Sequence, residues 1–264
     1  MSVVILCALA GGVFLGVPSL VVGWVQGGVV AMHRVHDVGW GVFAVFLLSV
    51  PAAAQLRRPD RRPAAMQQLL LCLAVGGVAM VASGALVPAH VIRGALIATP
   101  AAVMFVLHPA RARVLRPGRL SPILGALAVL AAVPLVRFAL LQLSIQRIDR
   151  LSPHGVQFHW GTMATLVLAI AATLLVAALR SPGWRLSAWC AGLALASYGL
   201  VSGVYPSYAS SVGRAWGIGA IAFAGVFVLT AELLLRAERR RPRRSRSRIP
   251  GGQPSPDGLP RVTS

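Results

Sequence analysis

The segment "HRVHDVGW", residues 33–40, sets His33, His36 and Asp37 just ahead of a long apolar run. A second segment, "SPHGVQFHW", residues 152–160, does nearly the same with His154 and His159. On a helix, His33, His36 and Asp37 fall at i, i+3 and i+4 and share one face. Imidazole and carboxylate on one face can bind zinc or copper, or hand protons to one another. His154 and His159 cannot share a helical face so neatly and must converge through the loop begun by Pro153. These five residues are the metal-ligand candidates. No HExxH, HxxxH or CxxC spacing accompanies them. A single site requires ring nitrogens of His36 and His159 to come within about 4 Å, because zinc takes nitrogen at about 2.0–2.1 Å. The competing reading is a polar rim, in which histidines and the neighbouring Trp40 and Trp160 merely sit at headgroup level.

The elements that must position these side chains are membrane helices. The chain has 264 residues, 57% hydrophobic and 12% charged, with mean hydropathy +0.76. Soluble domains carry about 25% charged residues. Apolar runs at roughly 3–25, 39–56, 66–86, 91–108, 122–142, 160–179, 187–204 and 215–235 predict an all-α polytopic membrane helix bundle of about eight transmembrane helices. The transmembrane domain is expected over 1–236, with halves of about 1–120 and 121–236. An Arg-rich cytoplasmic tail, 237–264, has too few apolar residues to bury a core and is expected to be disordered. The first run lacks a basic leader and reads as a retained helix rather than a signal peptide. Cys7, Cys72 and Cys190 all lie in apolar runs and read as small packing residues.

The net charge of +19 comes from arginine alone, since lysine is absent. The arginines cluster between the second and third runs, between the fourth and fifth, between the sixth and seventh, and in the tail. By the positive-inside rule both termini are cytoplasmic and the histidine segments face outward across a plasma membrane. That placement serves topology; no basic and aromatic surface for nucleic acid can be assembled from such loops. The expected partners are the lipid bilayer and, at the tail arginines, anionic lipid headgroups. Two charges fall inside runs. Arg137 is expected to snorkel or to pair with Asp37 or Asp149, and Glu232 to pair with Arg236 one turn on. The outer segment "YPSYASSVGRAWG", 205–217, reads either as the lining of a polar pocket or as a helix start capped by Ser210 or Ser211.

An offset of 123 residues aligns the chain with itself without a gap. His36 falls on His159, Arg57 on Arg180, Pro59 on Pro182, Arg62 on Arg185, Gly76 on Gly199 and Gly94 on Gly217. Four helices plus four implies a parallel internal repeat about an axis along the membrane normal. The segments "HDVGW", "AAQLRRPDRRPAAMQQ", "LHPARARVLRPGR", "HGVQFHWGTMA", "LRSPGWRLSAW" and "SSVGRAWG" together resemble a group of uncharacterised multi-pass membrane proteins of high-GC actinobacteria. The resemblance spans residues 30 to 235 and implies a membrane location. The four-plus-four layout is also distantly similar to haem A synthase, a family with histidine pairs on helices 2 and 4 and on helices 6 and 8. His36 and His159 occupy suitable helices and His90 approximately so, whereas helix 8 carries no histidine.

No nucleophile elbow, P-loop or dinucleotide fingerprint is present, and a lysine Schiff base is impossible. The leading expectation is a non-enzymatic membrane protein with a histidine-bearing outer face, its cofactor unassigned. The alternatives are a haem- or metal-dependent redox enzyme and a small-solute permease. The scarcity of charge in the central thirds of the spans weighs against the permease.

Overall fold

Eight long helices account for most of the described residues: α1 (Ser2–Val25), α2 (Ala31–Ala54), α3 (Pro63–Ser83), α4 (Pro88–Val106), α5 (Pro122–Ile148), α6 (His159–Ala178), α7 (Trp184–Val204) and α8 (Gly213–Arg240). They come from a computed structural model that describes residues 2–240, without the side chains at positions 3, 7, 10, 11, 13–15 and 28–30. Seven of the eight, α2 to α8, are long and apolar enough to cross a membrane by length and composition among the described residues. The protein is an all-α polytopic membrane protein.

The helix at the centre of the bundle is α6, with 72% of its apolar window buried against 17% for α4 and for α8. It packs on α5, α3, α7 and α2. Its two buried threonines do not disturb this packing, because each hydroxyl donates to its own helix one turn back, Thr165 to Gly161 and Thr173 to Ala169. Outside this group, α1 lies along α2 and α8 lies along α7. At the crossing of α1 and α2, a Cβ on Gly41 would stand 2.5 Å from the Leu20 nitrogen, so only glycine permits that approach.

The apolar runs identify the helices but misplace several ends. Helix α2 is already helical at Arg34, entered through a 3-10 turn at Gly28–His33, so the polar "HRVHD" lies within it and not before it. Likewise α5 continues past residue 142 to Ile148 and α8 past 235 to Arg240. Residues 237–240 are therefore helix rather than tail, and the remainder of the expected tail, 241–264, lies outside the described residues. Cys72 and Cys190 are buried free thiols, while the Cys7 side chain lies outside the description.

The middle of α2, Phe43–Ser49, is wound as a π-helix, and Pro51 follows it. Proline has no N–H, so carbonyls on the preceding turn lose a donor. Gln68 of α3 supplies it, its Nε2 lying 3.4 Å from the Phe46 oxygen and 3.3 Å from that of Leu47. Neighbouring side chains commonly re-satisfy freed backbone in this way inside a bilayer.

One expected charge contact is corrected, and a second expectation is narrowed. Glu232 bonds across to α7, accepting from Arg185 Nε at 2.5 Å and Trp189 Nε1 at 2.8 Å, rather than pairing with Arg236. Arg137, expected to snorkel or to pair with Asp37 or Asp149, pairs with neither acid. Asp37 accepts from Gln26, and Asp149 from Ser152 and Trp160.

Candidate metal centre

Four histidines from two distant parts of the chain meet at one end of the bundle. His33 closes the 3-10 turn and His36 lies on the first turn of α2. His154 sits in the short helical turn Pro153–Val156, and His159 opens α6. One ligand atom from each lies within 4.8 Å of the others. The ring nitrogen Nδ1 of His159 is 3.1 Å from Nδ1 of His33 and 3.3 Å from Nδ1 of His154. The His36 and His159 rings are stacked at 4.9 Å. The two histidine segments form one cluster.

The fifth candidate does not join it. His36 and Asp37 are consecutive, so their side chains diverge by about 100° around the helix. With His36 turned inward, Asp37 is left on the flank, where it accepts from Gln26 Nε2 at 2.8 Å.

His36, 2% exposed, is the most deeply placed of the four. Its Nε2 lies 3.0 Å from Ser210 Oγ, and that hydroxyl donates to Gln142 Oε1 at 2.6 Å. An amide oxygen only accepts, so the single serine proton goes to Gln142 and the imidazole must donate to Ser210. The proton of His36 is thus on Nε2. Its Nδ1 carries a bare lone pair, and that atom is buried without any hydrogen-bond partner. Ser210 holds this post in a left-handed backbone conformation at φ 60°, which costs a non-glycine residue about 1–2 kcal/mol.

The loop carrying His154 is fixed from several sides. Gln146 of α5 donates to the Gly155 oxygen at 2.9 Å and accepts from the Gly161 nitrogen at 3.2 Å. Gly155 is obligatory, because a Cβ there would fall 1.7 Å from the Asp149 oxygen. Asp149 accepts from Ser152 Oγ at 2.6 Å and from Trp160 Nε1 at 3.2 Å. The Ser152 hydroxyl and then the Trp160 indole hold this carboxyl below the usual carboxylate range. Trp160 in turn packs edge-on against His36, ring centroids 5.4 Å apart. Burial, then the neighbouring His33, hold His154 below the ordinary histidine value, with Asp149 pulling the other way.

The two remaining histidines brace backbone. His90 is buried with its Nε2 3.2 Å from the Val156 oxygen and its ring against Phe158. His108, at the other end of the bundle, contacts Gln55 Oε1 through Nε2 and accepts from the Ala110 nitrogen. Both of its ring nitrogens are engaged as in a neutral imidazole, and burial holds its pKa below the ordinary value.

The sequence reading missed Gln142 and Gln146, which stand four apart in an otherwise apolar run and so face one way. It named Ser210 only as a capping residue or pocket lining. No protein-family model, curated protein or solved structure matches the chain.

Proposed function

We propose that this is a plasma-membrane protein with cytoplasmic termini that binds one zinc-class ion at its extracytoplasmic face through His33, His36, His154 and His159. The observation that carries the reading is the convergence on His159 Nδ1. A ring nitrogen has either one lone pair or one hydrogen in its plane, so it cannot form two good hydrogen bonds with His33 and His154 together. Nitrogens that surround a point are placed as ligands are. Tetrahedral zinc with bonds of about 2.0–2.1 Å has ligand–ligand edges of about 3.3 Å, and the two contacts here are 3.1 and 3.3 Å. The buried, unpartnered Nδ1 of His36 supplies a further lone pair.

Four imidazoles without a carboxylate suit zinc or copper and not magnesium or calcium. A haem iron fits less well. Its axial imidazoles approach end-on from opposite faces of a macrocycle, whereas His36 and His159 are stacked on each other.

A site closed by four protein ligands holds an ion, and a site with three and a vacancy activates water. The first supports the non-enzymatic reading. Separations reach 4.8 Å within the cluster, against at most about 4.2 Å for two nitrogens on one zinc, so the rings close by about half an ångström when all four bind. Metal analysis of the detergent-purified protein, supplied with zinc and separately with copper, tests the proposal. One ion per chain is expected in the wild type and in His90→Ala, with loss in the double variant His36→Ala/His159→Ala. Absence of stoichiometric metal, or its retention in the double variant, overturns it. The absorption spectrum of the cobalt-substituted protein then reports three protein nitrogens or four.

A further inference from the structure

Between α5 and α8 the bundle is open to the side. Helix α8 lies along α7, while its other flank stands off α5 and leaves a cleft of about 900 Å³. That is near the upper end of the range of about 300–1,000 Å³ for small-ligand pockets. The walls are apolar, with Val133, Pro134 and Phe138 from α5 facing Trp216 and Phe223 from α8. The outer residues of the α5 wall are strongly exposed, Leu130 at 63% and Val133 at 67%, as expected of side chains that meet acyl chains.

One charged side chain, Arg137, lines this cleft. It makes no hydrogen bond or ion pair with any described residue. Because α5 runs on to Ile148, Arg137 lies about 16 Å from the helix end rather than one or two turns from it. A guanidinium at that position is expensive in a bilayer unless it is paired or reaches the headgroup layer. The two acids at the histidine-bearing end of the bundle, Asp37 and Asp149, accept from other donors. Across the cleft, Trp216 in the first turn of α8 is 66% exposed, and such a tryptophan marks the headgroup level.

We propose that the cleft between α5 and α8 is a binding site for an anionic phospholipid of the adjoining leaflet, with its acyl chains between the helices and its headgroup phosphate on Arg137. Guanidinium and phosphate make paired, charge-assisted hydrogen bonds. No acidic side chain lines the cleft to receive the ammonium of a zwitterionic headgroup. The net charge of the ligand is therefore selected as well as its phosphate. The floor of the cleft includes Tyr198, whose hydroxyl donates to the Ser210 carbonyl at 2.7 Å. A lipid there lies one residue away from the support of His36, and the proposal does not depend on metal binding.

Native mass spectrometry of the full chain, delipidated in detergent and titrated with phosphatidylglycerol or phosphatidylcholine of the same chain length, tests it. One phosphatidylglycerol per monomer is expected, about tenfold preferred over phosphatidylcholine, the size of effect one charge-assisted contact gives. Arg137→Leu should abolish the preference and Arg137→Lys keep part of it. Gly219 lines the cleft, and a Cβ there meets nothing within 4 Å. Gly219→Trp should therefore fill the cleft without disturbing packing and remove the tight lipid, with an unchanged melting profile as the control for folding. Equal retention of both lipids by the wild type overturns the proposal. So does phosphatidylglycerol binding unaffected by Arg137→Leu and Gly219→Trp, or a dimer that excludes lipid.

Discussion

At the scale of residues, one hydroxyl decides which nitrogen of a buried imidazole is free. Ser210 donates to Gln142 and so obliges His36 to donate to it, leaving Nδ1 unprotonated in the cluster. Partners of this kind fix the tautomer and orientation of a ligating histidine and are worth about 10–100-fold in metal affinity. Ser210→Ala is thus expected to weaken zinc binding by about 10–100-fold, read by competition with a chromophoric chelator. An unchanged affinity would show that His36 needs no such partner. The four clustered histidines were legible in the sequence as residue types at the edge of apolar runs. Their supports were not. Ser210 serves His36 from 174 positions away, in a loop whose left-handed backbone no local pattern announces.

At the scale of elements, hydropathy found the helices and lost their ends for one physical reason. It measures how well a residue suits lipid, whereas a bundle also offers faces that meet other helices. The polar start of α2 and the glutamines of α5 are turned toward protein, so runs that look finished at residue 142 or unstarted at residue 34 are helix nonetheless. The offset of 123 residues likewise matches residue types without their surroundings. It pairs His36 with His159, which meet in one cluster, and also Gly76 with Gly199 and Gly94 with Gly217. Gly199 and Gly217 pack backbone to backbone, whereas a Cβ at Gly76 would meet Thr165 and one at Gly94 would meet Met80. Within α2, the π-helical turn and Pro51 rely on Gln68. Gln68→Leu leaves two carbonyls uncovered in an apolar interior, and about 0.5–2 kcal/mol of stability should be lost. Thermal melts in detergent should show the lower midpoint, and Leu71→Ala, at a site 39% exposed, should not match it.

At the scale of the whole molecule, the arginine-rich connections and the histidine cluster lie on opposite sides of the bundle. This follows from the sequence order, since successive helices alternate in direction. The positive-inside rule turns that separation into an orientation. A cysteine introduced at Gln26 should react with an impermeant thiol reagent in intact cells, and one at Pro63 should react only after the membrane is opened. The reverse pattern would put the histidines in the cytoplasm.

The cluster also has a history within each molecule, because His33 and His159 are 126 residues apart. During synthesis α1 and α2 are complete, and two of the imidazoles in position, while α3, α4 and α5 have still to be made. An ion of the kind proposed would find half a site at that stage. Only the chain that leads into α6 supplies the other half, so tight loading of the proposed ion would coincide with completion of the bundle's centre. Bound as proposed, an ion would join early chain to late, closing a ring that costs about 4 kcal/mol of conformational freedom in an unfolded chain of that length. An ion that binds only the assembled cluster would oppose the parting of the two histidine-bearing segments by its own binding free energy.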